Sequence, residues 1–285
     1  MTGSINFRKM NGLGNDFVVL DARVHPLALK AAQIAAIADR GRGIGCDQVI
    51  ALEPSDFADV FMRIWNADGG EVGACGNAAR CVAALLVAER GSPHVSIETE
   101  SGMLAATVAK DGSATIDMGA PRFAWNEIPV SQPFDGTRAV EMLGAGGLGL
   151  GAASIVNVGN PHCIFFVEYV EAHDLARFGP VLEHDPLFPE RANISVAQVT
   201  GPSSLRLRTW ERGAGLTRAC GTAACAAAVA AARRGLTGRK VTVTLPGGDL
   251  VIDWRDADDH ILMTGPFALD YQGTIPPELL EKARA

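Results

Sequence analysis

Short apolar runs, several of them alternating with polar residues, predict strands at Asp16–Leu20, Phe61–Trp65, Val95–Thr99 and Ala114–Met118. The reason is geometric: successive side chains of a strand point to opposite faces. Val241–Leu245 and Leu250–Trp254 read the same way, and Pro246-Gly247-Gly248 between them marks a hairpin. Two stretches break this rhythm. Asn77–Glu89 and Thr222–Arg234 are rich in Ala, Leu and Val around the whole helical circumference, close on a basic last turn, and stop at Gly91 and Gly235. A helix that is apolar all round is a buried helix. Each is therefore expected inside a layer of strands, which makes the class α+β.

The pattern is written twice. Between 63–79 and 208–224, eight of seventeen positions are identical, including Arg63/Arg208, Trp65/Trp210, Gly70/Gly215 and an Ala-Cys-Gly centred on Cys75 and Cys220. Composition alone would give about one. The same offset pairs Gly14-Asn15 with Gly159-Asn160 and Gln48 with Asn193. A long unit present twice indicates duplicated domains, not a solenoid. The expected domains are 1–120, completed by the tail 266–285, and 121–265, each a mixed or antiparallel sheet wrapped round a central helix. Leu143–Gly151 contains a G-x-G-x-x-G spacing, but Ala152–Val158 after it reads as a strand and not as the helix a dinucleotide site requires.

With 285 residues, 48% hydrophobic and 20% charged, the chain has material for a large core and is not a disordered type. A net charge of −7 and the absence of a basic stretch argue against nucleic acid and anionic membrane surfaces as partners. The most apolar helix, Thr222–Ala232, is too short to span a bilayer, and the first residues lack an apolar signal core. A cytoplasmic protein with reduced thiols is expected. Five lysines (9, 30, 110, 240 and 282) all fall outside the repeated motif, so a pyridoxal phosphate Schiff base is not suggested.

Cys75 and Cys220 each directly precede a helix. The partial positive charge there is expected to stabilise a thiolate and draw the thiol pKa toward neutrality. The amides of Gly76-Asn77 and Gly221-Thr222 can hold a carboxylate, and glycine beside the cysteine allows close approach. Two such ends brought to one substrate would set a thiol on each face of an α-carbon. One takes a proton while the other gives one, which inverts the stereocentre without a cofactor or a metal.

The segments KMNGLGNDF (Lys9–Phe17), ADGGEVGACGNAARC (Ala67–Cys81), GNPHC (Gly159–Cys163), ERANI (Glu190–Ile194) and ERGAGLTRACGTAAC (Glu211–Cys225) resemble the signatures of the diaminopimelate epimerase family, in order and over essentially the whole chain. The resemblance implies interconversion of LL- and meso-2,6-diaminopimelate on the route to lysine and peptidoglycan, in a homodimer. It implies Cys75 as acid and Cys220 as base in the LL-to-meso direction, with His162 and Glu211 assisting. By the same carry-over, Gly76, Asn77, Gly221 and Thr222 bind the reacting carboxylate. Asn15, Gln48, Asn66, Asn160, Asn193, Glu211 and Arg212 are implied as further substrate contacts. The family's more usual wording has glycine where this chain has Ala78 and Ala223, both inside helices, where alanine is the better former.

Other readings of the same residues remain open at this level. A proline racemase or hydroxyproline epimerase would use both thiols, but would leave Glu211-Arg212 without a task. A Cys–His acyl-transfer enzyme would pair His162 with one cysteine and leave the second motif unexplained. A non-catalytic amino acid-binding protein would not need a reactive pair. Cys46, Cys81, Cys163 and Cys225 read as small buried hydrophobes. Cys75-x5-Cys81 and Cys220-x4-Cys225 lack the usual C-x2–4-C plus partner pattern of a zinc site. Arg63 and Trp65 read as parts of the fold.

Overall fold

The computed structural model describes residues 5–134 and 138–282, so the outer limits of the expected domains, 1 and 285, lie outside the described residues. The chain forms two compact units: one runs to Ile116 and resumes at Gly265, and the other is Asp117–Thr264.

The first unit contains β1 (Ile5–Gly12), β2 (Asn15–Asp21), α1 (Ala31–Ala38), β3 (Gln48–Glu53), β4 (Val60–Asn66), β5 (Glu71–Val72), α2 (Gly76–Arg90), β6 (His94–Thr99), β7 (Gly102–Val108) and most of β8 (Ser113–Asp117). The second contains β9 (Ala153–Asn157), β10 (Pro161–Phe166), α3 (Leu175–Glu183), β11 (Asn193–Gly201), β12 (Ser204–Glu211), β13 (Gly215–Leu216), α4 (Gly221–Arg233), β14 (Lys240–Leu245), β15 (Gly248–Trp254) and most of β16 (Ile261–Pro266). The chain then adds β17 (Ala268–Ile275), antiparallel to β1, and α5 (Pro277–Lys282).

Strand pairing repeats along with sequence. Phe17 faces Gln48 in the parallel β2–β3 pair, and His162 faces Asn193 in the parallel β10–β11 pair. Val49 faces Trp65 across antiparallel β3–β4, as Ile194 faces Trp210 across β11–β12. The short strands follow, with Trp65 opposite Glu71 and Trp210 opposite Leu216. After the central helix, β6 pairs parallel with β4 and β14 with β12. A register slip of one residue would turn every side chain to the other face. Keeping register through these ladders therefore keeps equivalent residues on equivalent strand faces in the two units.

The central helices are buried as their composition requires. In α4 nearly every residue from Gly221 to Ala231 is inaccessible, and in α2 the run Asn77–Ala83 is. Gly91 ends α2 in the left-handed region at φ 71°, where a Cβ would be strained. Phe7, Val18, Leu20, Ile34, Ile37 and Val49 build a core in the first unit, and Ile155, Phe165, Leu182, Phe188 and Ile194 build one in the second. The Gly-rich segment Leu143–Gly151 contains one 3-10 turn at Leu143–Ala145 before β9. No helix among the described residues is long and apolar enough to cross a membrane.

Three of the described helices, α1, α3 and α5, escaped the pattern reading. Helix α1 is a short Ala-rich piece, and α3 carries Gly179-Pro180 inside it, normally a sign against helix. At Gly179 the reason is a close approach: a Cβ would fall 2.6 Å from the ring of Trp210.

Candidate active site

In the first unit the site grows from a hairpin. Leu13 and Gly14 both have positive φ, 61° and 79°, which gives the tight β1–β2 turn its twist and places Asn15 at the head of β2. A left-handed leucine costs about 1–3 kcal/mol, a strain that backbones tend to keep at functional positions. Cys75 has extended backbone just before α2 and lies half-buried. The first helical bond runs from Ala79 N–H to the Cys75 carbonyl at 2.9 Å, so the amides of Gly76 and Asn77 lie ahead of the helical ladder. The Asn15 Oδ1 atom is 4.0 Å from the Cys75 sulfur and accepts from Asn77 Nδ2 at 3.3 Å. Gln48 and Asn66, neighbours across β3–β4, are joined by a bond from Gln48 Nε2 to Asn66 Oδ1 at 3.0 Å. The Gln48 Oε1 atom is buried with no protein partner.

The second unit repeats the frame with other groups. Cys220 has extended backbone before α4, and the Ala224 N–H reaches its carbonyl at 3.1 Å. Its sulfur lies 3.4 Å from Thr222 Oγ1 and faces the Glu211 carboxylate, which also accepts from Thr217 Oγ1. His162 is fully buried on β10, its Nε2 2.7 Å from Asn160 Oδ1 and its Nδ1 without a protein partner. Asn193 heads β11. Its Nδ2 donates to the Pro161 carbonyl at 3.1 Å, and its Oδ1 accepts the Arg212 N–H at 2.9 Å. The Arg212 guanidinium donates to the Glu190 carbonyl at 2.9 Å, next to Arg191, a left-handed residue at φ 62°.

The electrostatics correct one expectation. Burial pushes the Cys220 thiol well above its usual range, and the Glu211 carboxylate pushes in the same direction. A helix start is worth at most about 2 kcal/mol, little more than one pKa unit at about 1.4 kcal/mol each. Full desolvation shifts a pKa by up to about 3–5 units, so burial wins. Cys220 rests as a thiol in this arrangement. Burial, with the Arg212 charge adding to it, lowers the His162 pKa to about 3, so this ring is neutral and its Nδ1 is an acceptor when Nε2 donates to Asn160. Cys46 and Cys81 are pushed up to about 11 and about 12 by burial, and burial raises Cys163 as well, which fits inert core thiols.

The expected site residues therefore lie at or beside strand ends and at the start of one helix within each unit. Sequence reasoning missed the groups that hold them. Asp47 accepts from Asn15 Nδ2 at 2.7 Å, and Arg40 joins Asp47 to Asp16. Glu183, on α3 and 3% exposed, accepts from Trp210 Nε1 at 2.7 Å and from Gly213 N–H at 2.9 Å, which clamps the turn carrying Glu211 and Arg212. A charged residue seated in a helix facing the core was the available signal for Glu183. No local signal existed for Asp47. Among the described residues no cluster of His, Cys, Asp and Glu could hold a metal ion.

Over 95% of this chain and 98% of its own, a predicted epimerase from Pseudomonas aeruginosa superposes with a TM-score of 0.69 at 21% identity. A probable proline racemase from Agrobacterium radiobacter gives 0.68 at 14% identity over 96% and 93%. These likenesses establish the fold. In sequence, the profile of the diaminopimelate epimerase family matches residues 7–124 and 154–269. The diaminopimelate epimerase of Erythrobacter litoralis is 57% identical over 271 residues, 95% of this chain and 97% of that protein. That of Phenylobacterium zucineum is 54% identical over the same shares. The chain belongs to the diaminopimelate epimerase family and is an isomerase.

Proposed function

We propose that the protein interconverts LL- and meso-2,6-diaminopimelate by a two-cysteine acid–base mechanism that uses no cofactor. The observation that carries the reading is the repetition itself: each unit sets a cysteine as the residue before its central helix, and matched ladders hold it in place. In the LL-to-meso direction Cys220, as thiolate, takes the α-hydrogen as a proton, and the electron pair passes into the adjacent carboxylate. The Cys75 S–H then protonates the α-carbon on its other face. One C–H bond breaks and one forms, and the pair ends with Cys220 as thiol and Cys75 as thiolate. Exchange with solvent resets it.

Glu211 readies the base. Its carboxylate faces the Cys220 thiol and is the group placed to receive that proton. A thiol with a raised pKa is scarcer as thiolate but a stronger base once formed, which suits a weakly acidic α-hydrogen. The amides of Gly76, Asn77, Gly221 and Thr222 hold the reacting carboxylate and stabilise the charge that develops on it. Arg212 suits a second carboxylate, and Asn15, Gln48, Asn66, Asn160 and Asn193 the remaining polar ends. His162, neutral, acts as an acceptor toward the substrate.

The same reading takes the two compact units as the duplicated domains, places the protein in the cytoplasm on the route to lysine and peptidoglycan, and makes it a homodimer. The test is to incubate the reduced protein with LL-diaminopimelate and no added cofactor, and to follow the meso isomer by chiral chromatography. L-proline and trans-4-hydroxy-L-proline serve as controls. Inversion of LL-diaminopimelate alone is expected. Inversion of proline or hydroxyproline in its place would overturn the substrate assignment.

A further inference from the structure

An asparagine side chain presents an oxygen or an NH2 group with little difference in shape, so its hydrogen-bond partners decide which end faces where. Beside Cys75 two such side chains are linked in series. Arg80 Nη2 donates to Asn77 Oδ1 at 3.0 Å, Asn77 Nδ2 donates to Asn15 Oδ1 at 3.3 Å, and Asn15 Nδ2 donates to Asp47 Oδ2 at 2.7 Å. An arginine only donates and a carboxylate only accepts. The two ends of the series therefore permit one direction, with both amides turned the same way. In that direction the oxygen of Asn15, and not its NH2 group, lies toward the Cys75 sulfur.

Both ends are firmly held. Arg80 is fully buried and also donates from Nε to the Pro266 carbonyl at 3.2 Å. Asp47 Oδ2 accepts the Asp16 N–H at 3.0 Å as well as Asn15, and its Oδ1 accepts from Arg40 at 2.7 Å. Asp16 returns the contact by accepting the Asp47 N–H at 3.0 Å, and it binds Lys9 at 2.6 Å. The second unit has nothing equivalent: Ala192, Thr222 and Cys225 stand 145 positions after Asp47, Asn77 and Arg80.

We propose that Asp47 and Arg80 are positioning residues for Cys75, polarising the Asn77–Asn15 series so that an acceptor faces the thiol and keeps it a proton donor. Both act through asparagines, and the proposal rests on the reading of Cys75 as the acid. An NH2 group turned toward the sulfur would favour thiolate, because hydrogen bonding to a charged form favours that form.

The test uses Asp47→Asn, which keeps shape and removes the obligate acceptor, alone and combined with Asn15→Ala. Two readouts are taken. The first is the rate of Cys75 alkylation by iodoacetamide at fixed pH, in a Cys220→Ser background, which needs no substrate and stands even if the diaminopimelate assignment fails. Asp47→Asn is expected to speed it several-fold, and to have no further effect once Asn15 is alanine. The second is turnover in the Cys220-containing protein: about a tenfold fall in kcat with KM within twofold, and no additional loss on top of Asn15→Ala. An unchanged alkylation rate, or losses that multiply across the double variant, would overturn the proposal. Should Asp47→Asn fail to fold, the parent protein labelled with 15N-asparagine decides: slow hydrogen exchange at the Asn15 amide is expected, and rapid exchange would sink the idea.

Discussion

Cys75 and Cys220 occupy equivalent positions in two units whose strands keep the same pairing, yet what meets each sulfur differs. Cys75 is half-buried beside the neutral amides of Asn15 and Asn77. Cys220 is buried beside a hydroxyl and a carboxylate. Duplication kept the backbone that positions the thiols and let their neighbours diverge. The supports diverged too: Asp47 steadies the first site through Asn15, while Glu183 steadies the second through Trp210 and Gly213. A pair of identical thiols would have no built-in acid and base. Under the two-cysteine mechanism proposed above, the differing neighbours supply that distinction: the Glu211 carboxylate beside Cys220 and the Asn15 amide beside Cys75.

Breaking the comparison outright means removing one member. Cys75→Ser and Cys220→Ser should each lower inversion about 10²–10⁴-fold, the range for loss of a general acid or base, as read by chiral chromatography. Next comes the asymmetry. Glu211→Gln should lower kcat roughly 10²-fold. It should also let Cys220 alkylate at lower pH in a Cys75→Ser background, since the carboxylate is one of the groups holding that thiol up. A slower enzyme with a more easily ionised base would separate proton acceptance from thiol acidity.

Acid stability sharpens the comparison further, because only the second unit buries a histidine at this position; the first has Phe17. With a folded pKa of about 3 against an ordinary imidazole value of about 6.5, His162 binds fewer protons folded than unfolded between those limits. Stability should therefore be intact above about pH 6.5 and fall as the pH drops toward 3. Denaturant unfolding at several pH values should show a shallower acid loss in His162→Phe, compared with the parent's own slope. The smallest effect is expected from Ala78→Gly and Ala223→Gly. Each should cost about 0.5–1 kcal/mol in the same assay while turnover is nearly retained, since the cysteines and first-turn amides are unchanged.

Much of the fold was legible because it rests on local rules. Alternation gave β4 and β6, all-round apolarity gave α2 and α4, and Pro246-Gly247-Gly248 gave the β14–β15 turn. Helix α3 was hidden because Gly179 serves the packing of Trp210, a contact between residues far apart in sequence. The cysteines and the asparagines at strand heads were readable from the repeat and from motif order. The thiol pKa was not, because a helix start is visible in sequence and burial at Cys220 is not. Asp47 was silent for a similar reason: its partner Asn15 lies 32 residues away, and only the β2–β3 pairing brings them together.

The central claim is that two bases, each serving one face, perform the inversion. The direct measurement is the reaction of LL-diaminopimelate in deuterium oxide, stopped at low conversion, with α-deuterium counted separately in the meso product and in recovered LL substrate. The account predicts deuterium in the product and little in recovered substrate, because the proton that leaves goes to Cys220 and the one that arrives comes from Cys75. Deuterium entering recovered substrate as fast as product, or inversion persisting without Cys75, would contradict it.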